Sequence, residues 1–353
     1  MERFDDICAH IEPPDEAARN AARAKWNAVA KPIASLGALE TMVEQIAALV
    51  GTPDVHIDKR AVVVLCADNG VVAQGVSQSG PEITTLIAGS VARGTSSVCK
   101  MAHTAHIDAF SVDMGMCEPS PEPEVIDRSI ARGTGDISQG PAMSRNQALQ
   151  ALLTGIELVG AFKTRGYQIL ATGEMGIGNT TTSSAMTAAF FGLSADEVTG
   201  RGAGLSDAGL ARKRAAIARA LRVNAPAAHD PVDVLAKLGG FDIAGLAGIF
   251  IGGAMHRVPI VVDGFISTLA AYVAWRIAPA CRCAMIPSHI STEPATRLLL
   301  EALQLEPIIH AGMHLGEGTG AVCLIPLLDA TLALYNGTTF EQTGMEAYEV
   351  NPQ

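Results

Sequence analysis

From residue 61 onward, short apolar runs alternate with longer stretches of helical character. Six runs, at 61–66, 107–112, 168–171, 258–262, 283–286 and 307–309, have β-type composition. Most lack strict alternation, which suits strands covered on both faces. Stretches at 144–162, 207–220, 242–255 and 293–303 read as helices between them. The first fifty residues are also helical in pattern: 16–26 is rich in strong helix formers, and 39–50 repeats apolar residues at helical spacing. Strands alternating with helices predict an α/β fold on a doubly wound parallel sheet of about six strands. Residues 117–124, with three prolines, predict a surface loop.

The loops at the strand ends share a composition. The first strand is followed by Asp68-Asn69-Gly70 and the second by Asp113-Met114-Gly115. The third leads into a loop, Gly173-Glu174-Met175-Gly176-Ile177-Gly178-Asn179-Thr180. Asp263-Gly264 follows the fourth, Ser288-His289-Ile290-Ser291 the fifth, and His314 to Gly320 the sixth. Ligands of open parallel sheets bind at the carboxyl ends of the strands, and all these glycine-and-acid loops fall on that edge. Order alone therefore predicts a site.

Composition narrows what it binds. Lys and Arg number 25 against 36 Asp and Glu, and the net charge of −11 disfavours nucleic acid and anionic membranes. Charged residues are 17%, against roughly 25% in an average soluble domain, and apolar residues are 48%. A large core plus a covered subunit interface accounts for both. Aromatics, at 4%, are too sparse for a base-stacking platform. Seven cysteines without a CxxC pair, several in apolar runs, predict reduced thiols and a cytoplasmic protein. The Met1-Glu-Arg-Phe-Asp-Asp start does not read as a signal peptide, and Asp263, Arg276 or Glu317 break the apolar runs before they could span a bilayer.

Each candidate motif has a plainer reading beside it. Gly176-Ile-Gly178-Asn179-Thr180 enters a small-residue helix, where free amides attract phosphate, yet the same turn could be a simple cap. Gly200-Arg-Gly202-Ala-Gly204-Leu-Ser206-Asp207 precedes a helix carrying Lys213, either a second phosphate contact or a solvated lysine after an ordinary cap. Gly316-Glu317-Gly318 sets a carboxylate between glycines, where confinement can raise its pKa for general-base work, and Glu174 is a second candidate. Either glutamate could instead cap a helix. His103 with His106, and His310 with His314, lack the remaining ligands of a zinc site, so no metal is expected.

Taken together, Lys31-Pro-Ile-Ala-Ser-Leu-Gly-Ala-Leu-Glu40, Gly173-Glu-Met-Gly-Ile-Gly-Asn-Thr-Thr181, Gly200 to Asp207, Asp263-Gly-Phe-Ile266 and Leu315-Gly-Glu-Gly-Thr-Gly320 resemble the nicotinate-nucleotide–dimethylbenzimidazole phosphoribosyltransferases, in order, across residues 25 to 345. The resemblance implies a Rossmann-like domain at 61–335, a small helical domain from residues 1–60 and 336–353, and a homodimer. It also implies transfer of 5-phosphoribose from nicotinate mononucleotide to a benzimidazole-type base. Glu317 would be the catalytic base, with Glu174 positioning ribose or a water. Gly176, Gly178, Asn179, Thr180, Gly202, Gly204, Lys213, Gly264 and Ser291 would hold the ribose phosphate, and Gly80, Leu86 and Leu315 the acceptor base. No cofactor is implied, and no pyrophosphate leaves, so a magnesium-binding acid pair is not expected.

Two family positions differ, with Ala34 for glycine and Asn69 for histidine. Leu86 stands where a pocket-lining glutamine is usual, which makes that wall less polar. Three alternatives stay open: a phenolic or purine acceptor, a heterodimer of homologous subunits, and a non-catalytic nucleotide-binding paralogue. Retention of Glu317 argues against the last.

Overall fold

The structure is a computed structural model that describes residues 2–348. Met1 and residues 349–353, the ends of the segments expected to form the small domain, lie outside the described residues. Six strands form one all-parallel sheet: β1 (Arg60–Ala67), β2 (Asp108–Gly115), β3 (Ile126–Asp127), β4 (Ile169–Met175), β5 (Ile260–Val262) and β6 (Met285–Pro287). Their order is β3-β2-β1-β4-β5-β6, the doubly wound arrangement whose direction reverses between β1 and β4.

Because the sheet is covered on both sides, β1 is apolar at every central position. Ala61, Val63 and Leu65 join one core cluster, which includes the Arg145–Thr164 and Phe241–Met255 helices. Val62, Val64 and Cys66 join a second cluster with the Ala38–Val50 and Thr319–Tyr335 helices. The two clusters are the two faces of one pleated strand. On the second face the segments near both termini meet: Trp26 packs on Tyr335 with ring centroids 4.8 Å apart, and Val29 bridges to Thr339.

Two expectations are corrected. Residues 307–309 are not a strand; Ile309 makes one isolated bridge to His289, beyond the end of β6. The sixth strand is instead β3, two residues long, paired to β2 at Val112 and Asp113 on the opposite edge. Strands β2 and β4 also extend further than their apolar runs, so Glu174 is a strand residue, paired with Leu65 of β1, and not a loop residue. Residues 117–124 contain no helix or strand. Among the described residues no helix is long and apolar enough to cross a membrane.

Candidate active site

At the carboxyl edge, beside the β1–β4 reversal, lies a cavity of about 350 Å³. The loops after β4, β5 and β6 line it, together with the 314–317 turn and the side chains of Ile83 and Ile87. A smaller cavity of about 90 Å³ shares Gly176, Asn179, Thr180 and Gly202 with it and ends at Lys213. The two form one cleft with an acidic part and a part that ends at the lysine.

The acidic part is built on the turn that precedes the Thr319–Tyr335 helix. Gly316, Glu317 and Gly318 all have positive φ, at 90°, 60° and 89°. Glycines relieve two of these left-handed positions, while Glu317 bears the strain itself, a pattern found where function dictates conformation. The turn lies directly on β4: a Cβ at Gly173 would sit 2.5 Å from the Glu317 carbonyl oxygen. Glu317 Oε2 accepts a hydrogen bond from the Val98 backbone N–H at 3.2 Å, in the first turn of the Ser97–Thr104 helix. Asp263, at the end of β5, accepts from the Ala321 N–H at 2.9 Å and so ties β5 to the helix after the turn.

Glu174 is buried at the end of β4 and accepts a hydrogen bond from Asn179 Nδ2. Burial pushes its carboxyl well above the ordinary carboxylate range, and Asp242, Asp263 and Glu317 add to the shift, against the Asn179 bond that lowers it. A desolvated carboxyl among like charges holds its proton.

The lysine end begins at the Asn179–Phe191 helix, whose cap residue Gly178 has φ 94°. Lys213, on the Asp207–Asn224 helix capped by Ser206, is fully buried. Its Nζ donates to Thr180 Oγ1 at 2.8 Å and to the Gly200 carbonyl at 3.3 Å. Burial lowers its pKa to about 8, with Glu293 pulling the other way. The lysine is therefore not the solvated helix residue of the plainer reading. The Gly202 N–H donates to Glu293 Oε1 at 2.9 Å, so a carboxylate of this chain rests against the glycine loop.

The cleft brings together Glu317, Glu174, Gly176, Asn179, Thr180, Gly202, Gly264, Ser291 and Leu315, with Gly178 and Lys213 at its inner end. It does not bring in Gly80, Gly204 or Leu86. Gly204 packs under the Gln78 side chain, whose Nε2 donates to its carbonyl at 2.5 Å. Leu86 is the clearest correction, being 58% exposed. On the Glu82–Ala92 helix, Ile83 and Ile87 share a face as an i, i+4 pair and line the cavity, while Leu86 points away. Sequence reasoning missed Val98, Asp242 and Glu293. Val98 acts through its backbone, Asp242 lies in the first turn of a helix and Glu293 in the loop before one, and neither local pattern carries a signal. Among the described residues no cluster of three or more His, Cys, Asp or Glu is placed to hold a metal ion.

Comparison with known proteins accords with this geometry. Nicotinate-nucleotide–dimethylbenzimidazole phosphoribosyltransferase of Ruminiclostridium cellulolyticum is 43% identical over 329 residues, which is 93% of this chain and 94% of that one. The protein of the same name from Roseiflexus sp. is 43% identical over 347 residues, 98% of each chain. A crystal structure of the Thermus thermophilus protein of this name, 38% identical, matches with a TM-score of 0.87 over 94% of this chain and 99% of that one. A family model described as a phosphoribosyltransferase matches residues 11–345. This chain belongs to the nicotinate-nucleotide–dimethylbenzimidazole phosphoribosyltransferase family.

Proposed function

We propose that this protein transfers the 5-phosphoribosyl group of nicotinate mononucleotide to 5,6-dimethylbenzimidazole or a related lower-ligand base. The products are nicotinate and α-ribazole 5′-phosphate, for cobamide synthesis. The observation that carries the reading is one cleft with Glu317 on a strained turn at one end and Lys213 beneath a glycine-rich helix start at the other. The ribose phosphate rests on the Gly176–Thr180 turn, Gly202 and Ser291, with the charge of Lys213 behind Thr180. The base attacks the anomeric carbon through its lone-pair nitrogen, and the glycosidic electron pair leaves with nicotinate, neutralising the pyridinium. Attack from the opposite face inverts β to α. Glu317 takes the proton from the second ring nitrogen, so the product is released uncharged at the base. Asp263 brings negative potential to the place where the ribose gathers positive charge, and the protonated Glu174 carboxyl positions the ribose or a water beside it.

The wall of Ile83 and Ile87 favours a second reading at the acceptor alone. An apolar wall discriminates between isosteres by only about 1–3 kcal/mol, so phenols and other less polar rings compete as acceptors. We further propose a cytoplasmic homodimer, in keeping with the low charge fraction and the exposed Leu86 and Leu315.

Turnover of nicotinate mononucleotide with dimethylbenzimidazole, adenine, phenol and p-cresol, followed by nicotinate release, tests the reading. Glu317→Gln is expected to fold and to bind the donor while losing on the order of 10²- to 10⁴-fold in turnover, the range of a general base. Activity within a few-fold of wild type would remove Glu317 from that role.

A further inference from the structure

Asp242 lies outside the cavity wall but directly beneath it. It sits in the first turn of the Phe241–Met255 helix with no exposed surface. Two glycine backbones enclose it: a Cβ at Gly176 would fall 2.7 Å from its Oδ2, and one at Gly240 would fall 2.3 Å from its Oδ1. Oδ2 accepts from Asn179 Nδ2 at 2.9 Å, and the same nitrogen donates to Glu174 Oε2. Among the described residues Oδ1 meets no side-chain donor, and the backbone N–H groups of Asp242 and Ile243 act on the carboxyl. A carboxyl enclosed this tightly in a native site calls for an explanation.

The geometry of Asn179 supplies one. An amide nitrogen has two hydrogens, whereas the amide oxygen has none to give. Asn179 Nδ2 gives one hydrogen to Asp242 Oδ2 and one to Glu174 Oε2, so both are accepting oxygens and the Glu174 proton is left to Oε1. We infer that Asp242 is a positioning residue: it takes one hydrogen of Asn179 Nδ2, which keeps the other on Glu174 Oε2 and turns Glu174 Oε1 toward the Glu317 turn. Glu174 Oε1 lies 3.0 Å from where a Gly316 Cβ would stand. Without Asp242, Asn179 is free to rotate and to offer its oxygen to Glu174. That reverses the hydrogen bond and turns Glu174 away from the cleft.

The surrounding charges agree with this role. Asp68 acts on Asp242, Asp263 and Glu317 act on Glu174, and the Cys66 thiol of β1 feels both carboxyls. Burial among these groups lifts Asp242 to about 6 and Glu174 well above the ordinary carboxylate range. The inference rests on the proposed phosphoribosyl transfer, because Glu174 matters only if the ribose reacts beside it.

Asp242→Asn preserves shape and lets the new amide donate to Asn179, so it unlocks the orientation without opening a cavity. Its kcat is expected to fall about 10- to 100-fold, the scale of a misplaced catalytic contact, with the KM for nicotinate mononucleotide unchanged. In a Glu174→Gln background the same substitution should add nothing. Losses that multiply in the double variant, or an Asp242→Asn enzyme with wild-type kcat and pH profile, would overturn the inference. A readout that does not need turnover is the infrared carbonyl band of the protonated Glu174 carboxyl, identified by its absence in Glu174→Gln. Its frequency should shift in Asp242→Asn, because the hydrogen bond from Asn179 Nδ2 to Glu174 Oε2 is reversed; an unshifted band counts against Asp242. Absence of turnover in the wild-type protein would fall on the proposed function, and the infrared band would still decide the role of Asp242.

Discussion

Lys213 is charged where charge is expensive. Its ammonium is fully buried and meets only a hydroxyl and a carbonyl at hydrogen-bond distance, and its pKa stands at about 8 against an ordinary 10.5. That difference corresponds to a stability cost on the order of 3 kcal/mol at neutral pH. The sign comes from proton linkage. Below pH 8 both folded and unfolded chains hold the proton and the cost is full. Between 8 and 10.5 the unfolded chain binds more protons, so stability rises with pH. Donor binding should run the other way, since a phosphate needs the cation that is lost above pH 8. Chemical denaturation from pH 7 to 10, beside donor KM over the same range, should show stability rising while affinity falls. Lys213→Met should flatten both curves, raise stability at pH 7 and raise the donor KM about 10- to 100-fold, as expected for one charge-assisted contact of about 1.5–3 kcal/mol. Nicotinate riboside, which has no phosphate, should be a poor donor for wild type and indifferent to the substitution.

Elements transmit position to the site through close backbone approach. Glu317 is held on β4 because Gly173 leaves room for its carbonyl, and the Phe241–Met255 helix is held on the Arg145–Thr164 helix by glycines. A Cβ at Gly248 would meet the Leu152 carbonyl oxygen at 2.1 Å. Gly248→Ala should therefore lower stability by about 1–3 kcal/mol, the usual cost of overpacking, measured by urea denaturation, with the KM values of the surviving folded enzyme near wild type. Gly173→Ala should do the reverse, with a modest loss of stability and a large loss of kcat, because the displaced atom belongs to the turn carrying Glu317. Equal kcat losses in both variants would show that stability, and not the placement of Glu317, sets activity. These elements also show what could be read from sequence. The runs around 61–66 and 168–171 were legible because a strand covered on both faces must be apolar throughout, and the glycine-and-acid loops at their ends located the site. Residues 307–309 had the same composition but pair through a single bridge, whereas β3 is two residues paired by β2 and has no pattern to read. Leu86 was misplaced for a related reason. A resemblance in residue order does not settle helical phase, and one position turns a side chain through about 100°. Asp242 and Val98 join the site from elsewhere in the chain, and nothing local announces them.

At the scale of the whole molecule, charge and exposed apolar surface bear on the same question. Only 17% of residues are charged, and the exposed large hydrophobics include Leu86 at 58% and Leu315 at 56%. Both are adjacent to cavity residues: Leu86 immediately precedes Ile87, and Leu315 itself lines the cleft next to Glu317. If a second copy covers Leu86, as the proposed homodimer requires, it also braces the helix that carries Ile83 and Ile87. Dimerisation and acceptor binding would then be coupled, and by linkage each would favour the other. Sedimentation equilibrium should give twice the 36.6 kDa chain mass. Diluting the protein through its dissociation range should raise the acceptor KM before the donor KM, because the proposed phosphate contacts lie on other loops of the same chain. Leu86→Glu should shift both transitions to higher protein concentration, while Leu86→Gln in the intact dimer should leave the p-cresol-to-dimethylbenzimidazole ratio of kcat/KM unchanged. Ile87→Gln, which puts a polar group on the cavity wall, is the substitution expected to move that ratio toward dimethylbenzimidazole. A ratio that moves with Leu86 and not with Ile87 would mean that the acceptor is recognised from the outer face of this helix, against the placement of both side chains in the monomer.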